Sequence, residues 1–296
     1  MESEALKKYR QAGKIAAEVR EWSRKLIRPG ARALDVAEKI EQKLRDKGAG
    51  IAFPCNISLN DVAAHYTPSA KDELTFGEKD LVTIDLGAHI DGYIADTAYT
   101  IDLSGENGEL VKASEEALKA AIDTVRAGVS VSKIGESIEK AIRARGFRPI
   151  ENLTGHELKQ YDLHAGVAIP NIKVPFDKHL EEGQAFAIEP FATSGRGRVV
   201  EGNRTEIYSF LQFKPTRLAE GKKVLELAAE RHGLPFPERW FSDMNQFKLK
   251  MALRELVRRD ALHGYPVLHE AERGLVSQTE HTIIVGSDGC EVTTGG

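Results

Sequence analysis

An internal repeat restricts the fold of this chain more than any other feature. Gly30 and Gly48 bracket a segment with helical spacing of apolar residues, and Gly128 and Gly146 bracket another, 98 positions later. At that offset Val36, Ile40 and Leu44 fall on Ile134, Ile138 and Ile142, forming one apolar stripe. Glu38, Glu41 and Arg45 fall on Glu136, Glu139 and Arg143 of the polar face. Amphipathic helices look alike by composition alone, but stops, stripe and charges that agree at one offset point to duplication. Each copy is preceded by another amphipathic segment, 5–27 and 109–126. Two related halves can face each other across a pseudo-two-fold axis, and a cleft on that axis is a natural place for a site.

The segments C-terminal to the two copies also correspond. NDVAAHYTP and GEKDLVTIDLG come after the first; YDLHAGVAIPN and GQAFAIEPF come after the second. His65 and His164 are therefore near-equivalent, and Asp85 and Glu189 each close an apolar strand after a Gly-Glu or Gly-Gln turn. Five side chains of metal-binding type stand where the local sequence has little structural use for them. They are Asp85 in VTIDLG, Asp96 in IADTAYTI, His156 in LTGHEL, Glu189 in FAIEPFA and Glu280 in SQTEHTIIV. The carboxylates interrupt runs of apolar and β-branched residues that read as buried strands. Asp is depleted from strands, and an unpartnered buried carboxylate costs on the order of several kcal/mol. A divalent metal cluster compensates all five.

The two aspartates can be placed more closely. VTIDLGAHI and YIADTAYTI flank Asp91-Gly92, a two-residue hairpin signal. A turn centred there pairs residue 85 with 98 and makes Asp85 and Asp96 diagonal neighbours on one face, with Cβ atoms roughly 7 Å apart. Like charges that close repel unless a cation sits between them.

Taken in order, these motifs resemble the methionine aminopeptidases of the "pita-bread" fold, over nearly the whole chain. The resemblance implies an α+β architecture of two pseudo-two-fold-related halves around a curved antiparallel sheet that holds two metals. By the same resemblance Asp96 and Glu280 bridge both ions, Asp85 completes one site, and His156 and Glu189 complete the other. Glu189 would also serve as the base, and His65 and His164 would handle substrate as non-ligand catalytic histidines. Phe53 in AFPCNIS and Tyr265 in HGYPVL resemble residues that line the methionine pocket, although core packing is the alternative reading for both. The activity implied is removal of N-terminal methionine from peptides and nascent chains when the second residue is small. An Xaa-Pro aminopeptidase or prolidase of the same fold, and a non-enzymatic interaction protein of that fold, are the alternatives.

Glu189 and Glu280 are 91 positions apart, far more than two neighbouring strands need. The interval carries two helical segments, 217–232 and 244–260, a strand-like IYSFLQF and the punctuation of HGLPFPERW. It is similar to the helical insertion of the type 2 branch. The expected division is a catalytic domain of residues 1–194 and 272–296 with an insertion subdomain of 195–271. With no long charged extension ahead of the first helix, the chain looks like the archaeal form.

Bulk properties narrow the surroundings. A net charge of −4 gives no electrostatic footprint for nucleic acid or an anionic membrane. Lys248, Lys250, Arg254, Arg258 and Arg259 gather on one helix, where a solvated face is the usual meaning. Cys55 and Cys290 match no metal or redox spacing and are expected as free thiols. MESEALKKYR is too charged for a signal peptide, and no apolar run approaches a membrane span. The expectation is a cytoplasmic monomer that meets its substrates at or near the ribosome surface and has no membrane partner. One imidazole and four carboxylates form a hard, oxygen-rich donor set that suits cobalt, manganese, iron(II) or zinc. His89, His179, His232, His263, His269 and His281 have no such support; His281 alone adjoins a ligand and is placed for a role behind it.

Overall fold

The repeat is visible in the backbone of the computed structural model, which describes residues 3–295. Gly30 and Gly128 both have φ of 79°, and Gly48 and Gly146 both have φ of 81°. Glycine is the residue that takes this left-handed conformation without strain. Between these stops the helices α2 (Ala33–Asp46) and α4 (Val131–Ala144) match residue for residue at the offset of 98, each preceded by a longer helix, α1 (Glu4–Ser23) and α3 (Gly108–Thr124). Even the tethers repeat. The Ala33 and Val131 amides donate to the carbonyls of Leu74 and Lys178, both at 2.8 Å. Ile40, Ile138 and Ile142 are fully or almost fully buried, each worth about 1.5–3 kcal/mol in transfer free energy.

The strands of the first half are β1 (Gly50–Ile51), β2 (Asn56–Leu59), β3 (Val62–Ala64), β4 (Leu81–Ile90) and β5 (Tyr93–Asp102). Those of the second are β6 (Arg148–Pro149), β7 (Thr154–Leu158), β8 (Ala168–Pro170), β9 (Ala185–Ile188) and β10 (Phe191–Thr193). Next come β11 (Val199–Phe210), α5 (Ala219–Glu230), β12 (Phe236–Pro237), α6 (Gln246–Arg258) and β13 (Leu262–Glu270). The second half then resumes with β14 (Val276–Gln278), β15 (His281–Val285) and β16 (Cys290–Val292).

The β4–β5 hairpin has the expected register: Ile90 pairs with Tyr93, Asp85 with Ala98 and Gly87 with Asp96. Asp91 and Gly92 both have positive φ, 49° and 85°, as a type I′ turn requires. The second half builds the corresponding hairpin from interrupted strands. Ile188 pairs with His281 and Phe191 with Gln278 in one continuing register, which sets Glu189 opposite Glu280. Where the first half needs two residues to turn, the second inserts everything between β10 and β14.

That insertion is more than helical. Its spine is the antiparallel pair β11–β13, with register shifts between Glu201 and Thr205 and between Thr205 and Ile207. Extra residues of this kind bend a pair and raise its twist. The helices α5 and α6 pack on one end of the pair around Leu225, Leu249, Leu253 and Leu256. At its other end β13 pairs with β3 of the first half, Leu268 with Ala64. The insertion also reaches α2. Glu41, expected on a polar face, is buried and holds Arg239 in an ion pair, accepting as well from Trp240 Nε1 at 2.9 Å. Glu41 also keeps the within-helix pair with Arg45, at 3.8 Å, that its repeat partner Glu139 makes with Arg143 at 2.8 Å. The duplication conserves the helix, and a neighbour present in one half only decides what its polar face meets.

Candidate metal centre

The two halves meet where β5 passes β14 and β15. Glu280 N–H donates to the Ala98 carbonyl at 3.0 Å, and Thr97 Oγ1 donates to the Glu280 carbonyl at 2.9 Å. Thr282 Oγ1 accepts from Asp96 N–H at 2.7 Å and donates to the Asp96 carbonyl at 2.8 Å. Asp96 and Glu280 are thus clamped side by side from opposite halves. Asp85 joins them from the adjacent strand β4, in mid-strand rather than at its end, and His156 from β7. Glu189 extends from the end of β9.

One candidate ligand atom each from Asp96, His156 and Glu280 lie within 4.8 Å of one another. His156 Nε2 is 3.7 Å from Asp96 Oδ2 and 3.5 Å from Glu189 Oε1. All five lie on one cavity of about 80 Å³ that His65, His164, Phe53 and Tyr265 also line. The nine residues singled out from the sequence therefore share one site.

The electrostatics are those of a cation site. Burial pushes the Asp85 carboxyl up to about 7. Burial, and then repulsion from Asp85 and Glu189, holds Asp96 well above the usual carboxylate range. Burial and neighbouring carboxylates do the same to Glu189 and Glu280. Burial, and then the nearby His164, keeps His156 neutral by lowering its pKa far below the ordinary imidazole value. Neutral imidazole and dense carboxylate are the forms a hard divalent ion binds. Asp85 Oδ1 and Asp96 Oδ1 are buried without a hydrogen-bond partner, and an unsatisfied buried oxygen needs such an explanation. The donor set and these two oxygens fit a metal.

The two histidines outside the five-residue cluster differ from each other. His65 is half-buried, and burial brings its pKa down to about 4, so it is neutral at physiological pH. It has a left-handed backbone, φ 66°. Its Nδ1 lies 3.2 Å from the Pro266 carbonyl, and its ring lies edge-on to Tyr265 at 5.5 Å. Non-glycine residues in this region concentrate at functional sites. His164 is exposed at the rim, 4.4 Å between ring centroids from His156. Phe53 is buried and packs over Gly87, where any Cβ would strike its ring. His281 does not stand behind the ligands: its Nδ1 faces Thr294 Oγ1 at 2.9 Å and Arg20 Nη1 at 3.1 Å.

Three supporting residues escaped the sequence reading. Gln278 Nε2 donates to Glu189 Oε2 at 3.2 Å and to Glu280 Oε2 at 3.3 Å. Two residues before Glu280, it shares that residue's face by strand alternation, which was a usable signal. Asn56 Nδ2 donates to Asp85 Oδ2 at 3.4 Å across the β2–β4 register, and Thr282 clamps Asp96 from the other half. For these two, only the pairing of distant strands identifies the role.

A duplicated α+β frame with carboxylates and an imidazole gathered at its central seam defines a metallohydrolase of the pita-bread fold. Comparison with known proteins agrees: the model of metallopeptidase family M24 matches residues 7–226. The methionine aminopeptidase of Methanocaldococcus jannaschii is 46% identical over 295 residues, 99% of this chain and 100% of that protein. That of Pyrococcus horikoshii is 51% identical over 287 residues, 96% and 97% of the two. Among solved structures, a thermophilic Arx1 superposes with a TM-score of 0.88 at 20% identity, covering 100% of this chain and 92% of that one. Methionine aminopeptidase from Thermotoga maritima superposes at 0.74 and 22%, covering 100% and 98%; at such identities these two speak for the fold alone. The chain belongs to metallopeptidase family M24. Within that family it groups with the methionine aminopeptidases of archaeal type.

Proposed function

We propose that this chain is a metal-dependent aminopeptidase that removes N-terminal methionine from peptides and nascent proteins whose second residue is small. The observation that carries the reading is the confluence of all five metal-type ligands, two histidines and two pocket residues on one cavity at the seam of the halves. With it go the division into 1–194 plus 272–296 and an insertion of 195–271, and action as a cytoplasmic monomer on chains emerging at the ribosome. No helix among the described residues is long and apolar enough to cross a membrane.

Asp96 and Glu280 would each hold two divalent ions, Asp85 one of them, and His156 and Glu189 the other; cobalt, manganese, iron(II) or zinc suit the donors. Bound there, the ions would polarise the scissile carbonyl and lower the pKa of water. Glu189 takes the proton of the attacking water and returns it to the departing amine nitrogen as the C–N bond breaks. His164, at the cavity wall, donates a hydrogen bond to the carbonyl oxygen, and neutral His65, whose Nδ1–H is held by the Pro266 carbonyl, accepts at Nε2 from the scissile peptide N–H. Phe53 and Tyr265 enclose the methionine side chain.

His65→Ala should lower kcat by roughly 10²-fold or more, the scale of a lost proton-transfer or hydrogen-bonding partner at the reacting peptide. Bound metal measured by mass spectrometry should stay near normal. Loss of metal in this variant would instead make His65 a ligand.

The specificity follows from sterics. The amine and the scissile carbonyl must both reach the ligand cluster, so the second side chain is pressed against the wall from which Tyr265 projects. An extra methylene would discriminate by only about 1–3 kcal/mol, whereas a long side chain should clash outright. The test is kcat/KM over a Met-Xaa-Gly series with metal added. Rapid release before Gly, Ala, Ser, Thr, Val, Pro or Cys and little before Leu or Lys is expected. Equal rates across the series would refute the steric reading, and preference for Xaa-Pro dipeptides would turn the assignment to a prolidase.

A further inference from the structure

A buried guanidinium stands behind the metal cavity. Thr97 and His281 follow Asp96 and Glu280 in the chain, so the alternation of extended backbone turns them away from that cavity. Both meet Arg20 of α1 there. Arg20 is only 6% exposed. Its Nη1 donates to Thr97 Oγ1 and to the Thr294 carbonyl, each at 2.9 Å, and lies 3.1 Å from His281 Nδ1. Its Nε donates to Glu21 Oε1 at 3.0 Å.

The first two contacts each lead to a candidate bridging ligand. Thr97 Oγ1 gives its own hydrogen to the Glu280 carbonyl at 2.9 Å. Thr294 Oγ1 accepts from Thr282 N–H at 3.0 Å, and Thr282 Oγ1 grips the Asp96 backbone through both its N–H and its carbonyl. Thr97, Thr282 and Thr294 are wholly buried, so solvent does not supply these bonds.

The frame itself does not call for arginine here. At the repeat's offset of 98 the second half carries Leu118, placed before Gly128 as Arg20 is before Gly30. Both side chains line one cavity of about 350 Å³ between α1 and α3. Leucine is buried there at no electrostatic cost, whereas a buried charge must be compensated by its hydrogen bonds. What sets the arginine apart is its pair of links to the ligand strands.

We propose that Arg20 is a positioning residue for the metal centre: through Thr97 and Thr294 it fixes Asp96 and Glu280 relative to each other, so that the two carboxylates can share divalent ions. The proposal rests on the metal-dependent reading of the site and adds a residue that touches neither metal nor substrate.

The test is calorimetric titration of chelator-stripped protein with Mn²⁺. Arg20→Met should bind Mn²⁺ roughly 10- to 100-fold more weakly than the parent, the scale of losing a group that orients metal ligands. Arg20→Lys, which keeps the charge and several donors on a shorter arm, should recover part of that loss. Thr97→Val should weaken binding by a smaller factor, and adding it to Arg20→Met should cost little more, because both break the same path. A purely structural arginine would instead lower the melting temperature in chelator and leave Mn²⁺ affinity at the parent's value. That result in Arg20→Met, or in both Thr97→Val and Thr294→Val should the first variant not fold, would overturn the proposal while leaving the metal centre intact. A parent protein that binds no Mn²⁺ would overturn both.

Discussion

Asp96→Ala and Glu280→Ala should each lower kcat/KM by roughly 10³-fold or more, at or above the cost of losing one preorganised electrostatic group. Each removes a side chain proposed to hold both ions, whereas Asp85→Ala touches only one and should be less damaging. The proteins should still fold. The clamp at this seam runs through Thr97, Thr282 and main-chain groups rather than through the two carboxylates. In metal-free protein the variants should melt at a higher temperature than the parent, because each removes one of four mutually repelling buried carboxylates. Thermal melts in chelator and peptide hydrolysis with metal restored measure the two effects separately. A variant that lost activity only by unfolding would remove Asp96 or Glu280 from the metal centre.

Metal-free protein should lose stability as the pH rises above about 6.5, the ordinary imidazole value. Asp85 has its pKa raised to about 7 in the folded state, and Asp96, Glu189 and Glu280 are raised well above the usual range. A raised carboxylate contributes stability that is complete below its unfolded pKa and lost as the pH climbs through its folded one. Between about pH 4 and 6.5 the buried histidines oppose this trend. His65, His89 and His281 have folded values near 4, so the unfolded chain binds more protons there and stability rises with pH. Above that window the carboxylates carry the trend, joined toward pH 8.5 by the buried Cys55 and by Cys290, and each excess proton held by the folded state costs about 1.4 kcal/mol per pH unit. Divalent ions take the place of those protons, so the melting difference between loaded and metal-free protein should widen from pH 6.5 to 8.5. A difference that stays constant, or an equal slope in Glu280→Gln, would show that the cluster does not carry the titration.

The sequence by itself determined whatever local chemistry encodes. Asp91-Gly92 set the β4–β5 register because its turn type admits one pairing, and that register put Asp85 and Asp96 on one face. The glycine stops and the stripes of Ile40 and Ile138 marked the repeat, because helix ends and helix faces are properties of a few consecutive residues. Carboxylates in apolar strands marked the candidate metal site, since burial makes them costly wherever the strands go. Only the tertiary structure decided the rest. Glu189 and Glu280 stand opposite each other because β10 and β14 keep their register across the whole insertion, a pairing no local pattern carries. Glu41 is buried because Arg239 and Trp240 arrive from nearly two hundred residues away. His281 turns from the ligands to Arg20 and Thr294. Turn and helix signals act over a few residues, whereas these arrangements depend on which distant strands pair and on how the pairs bend.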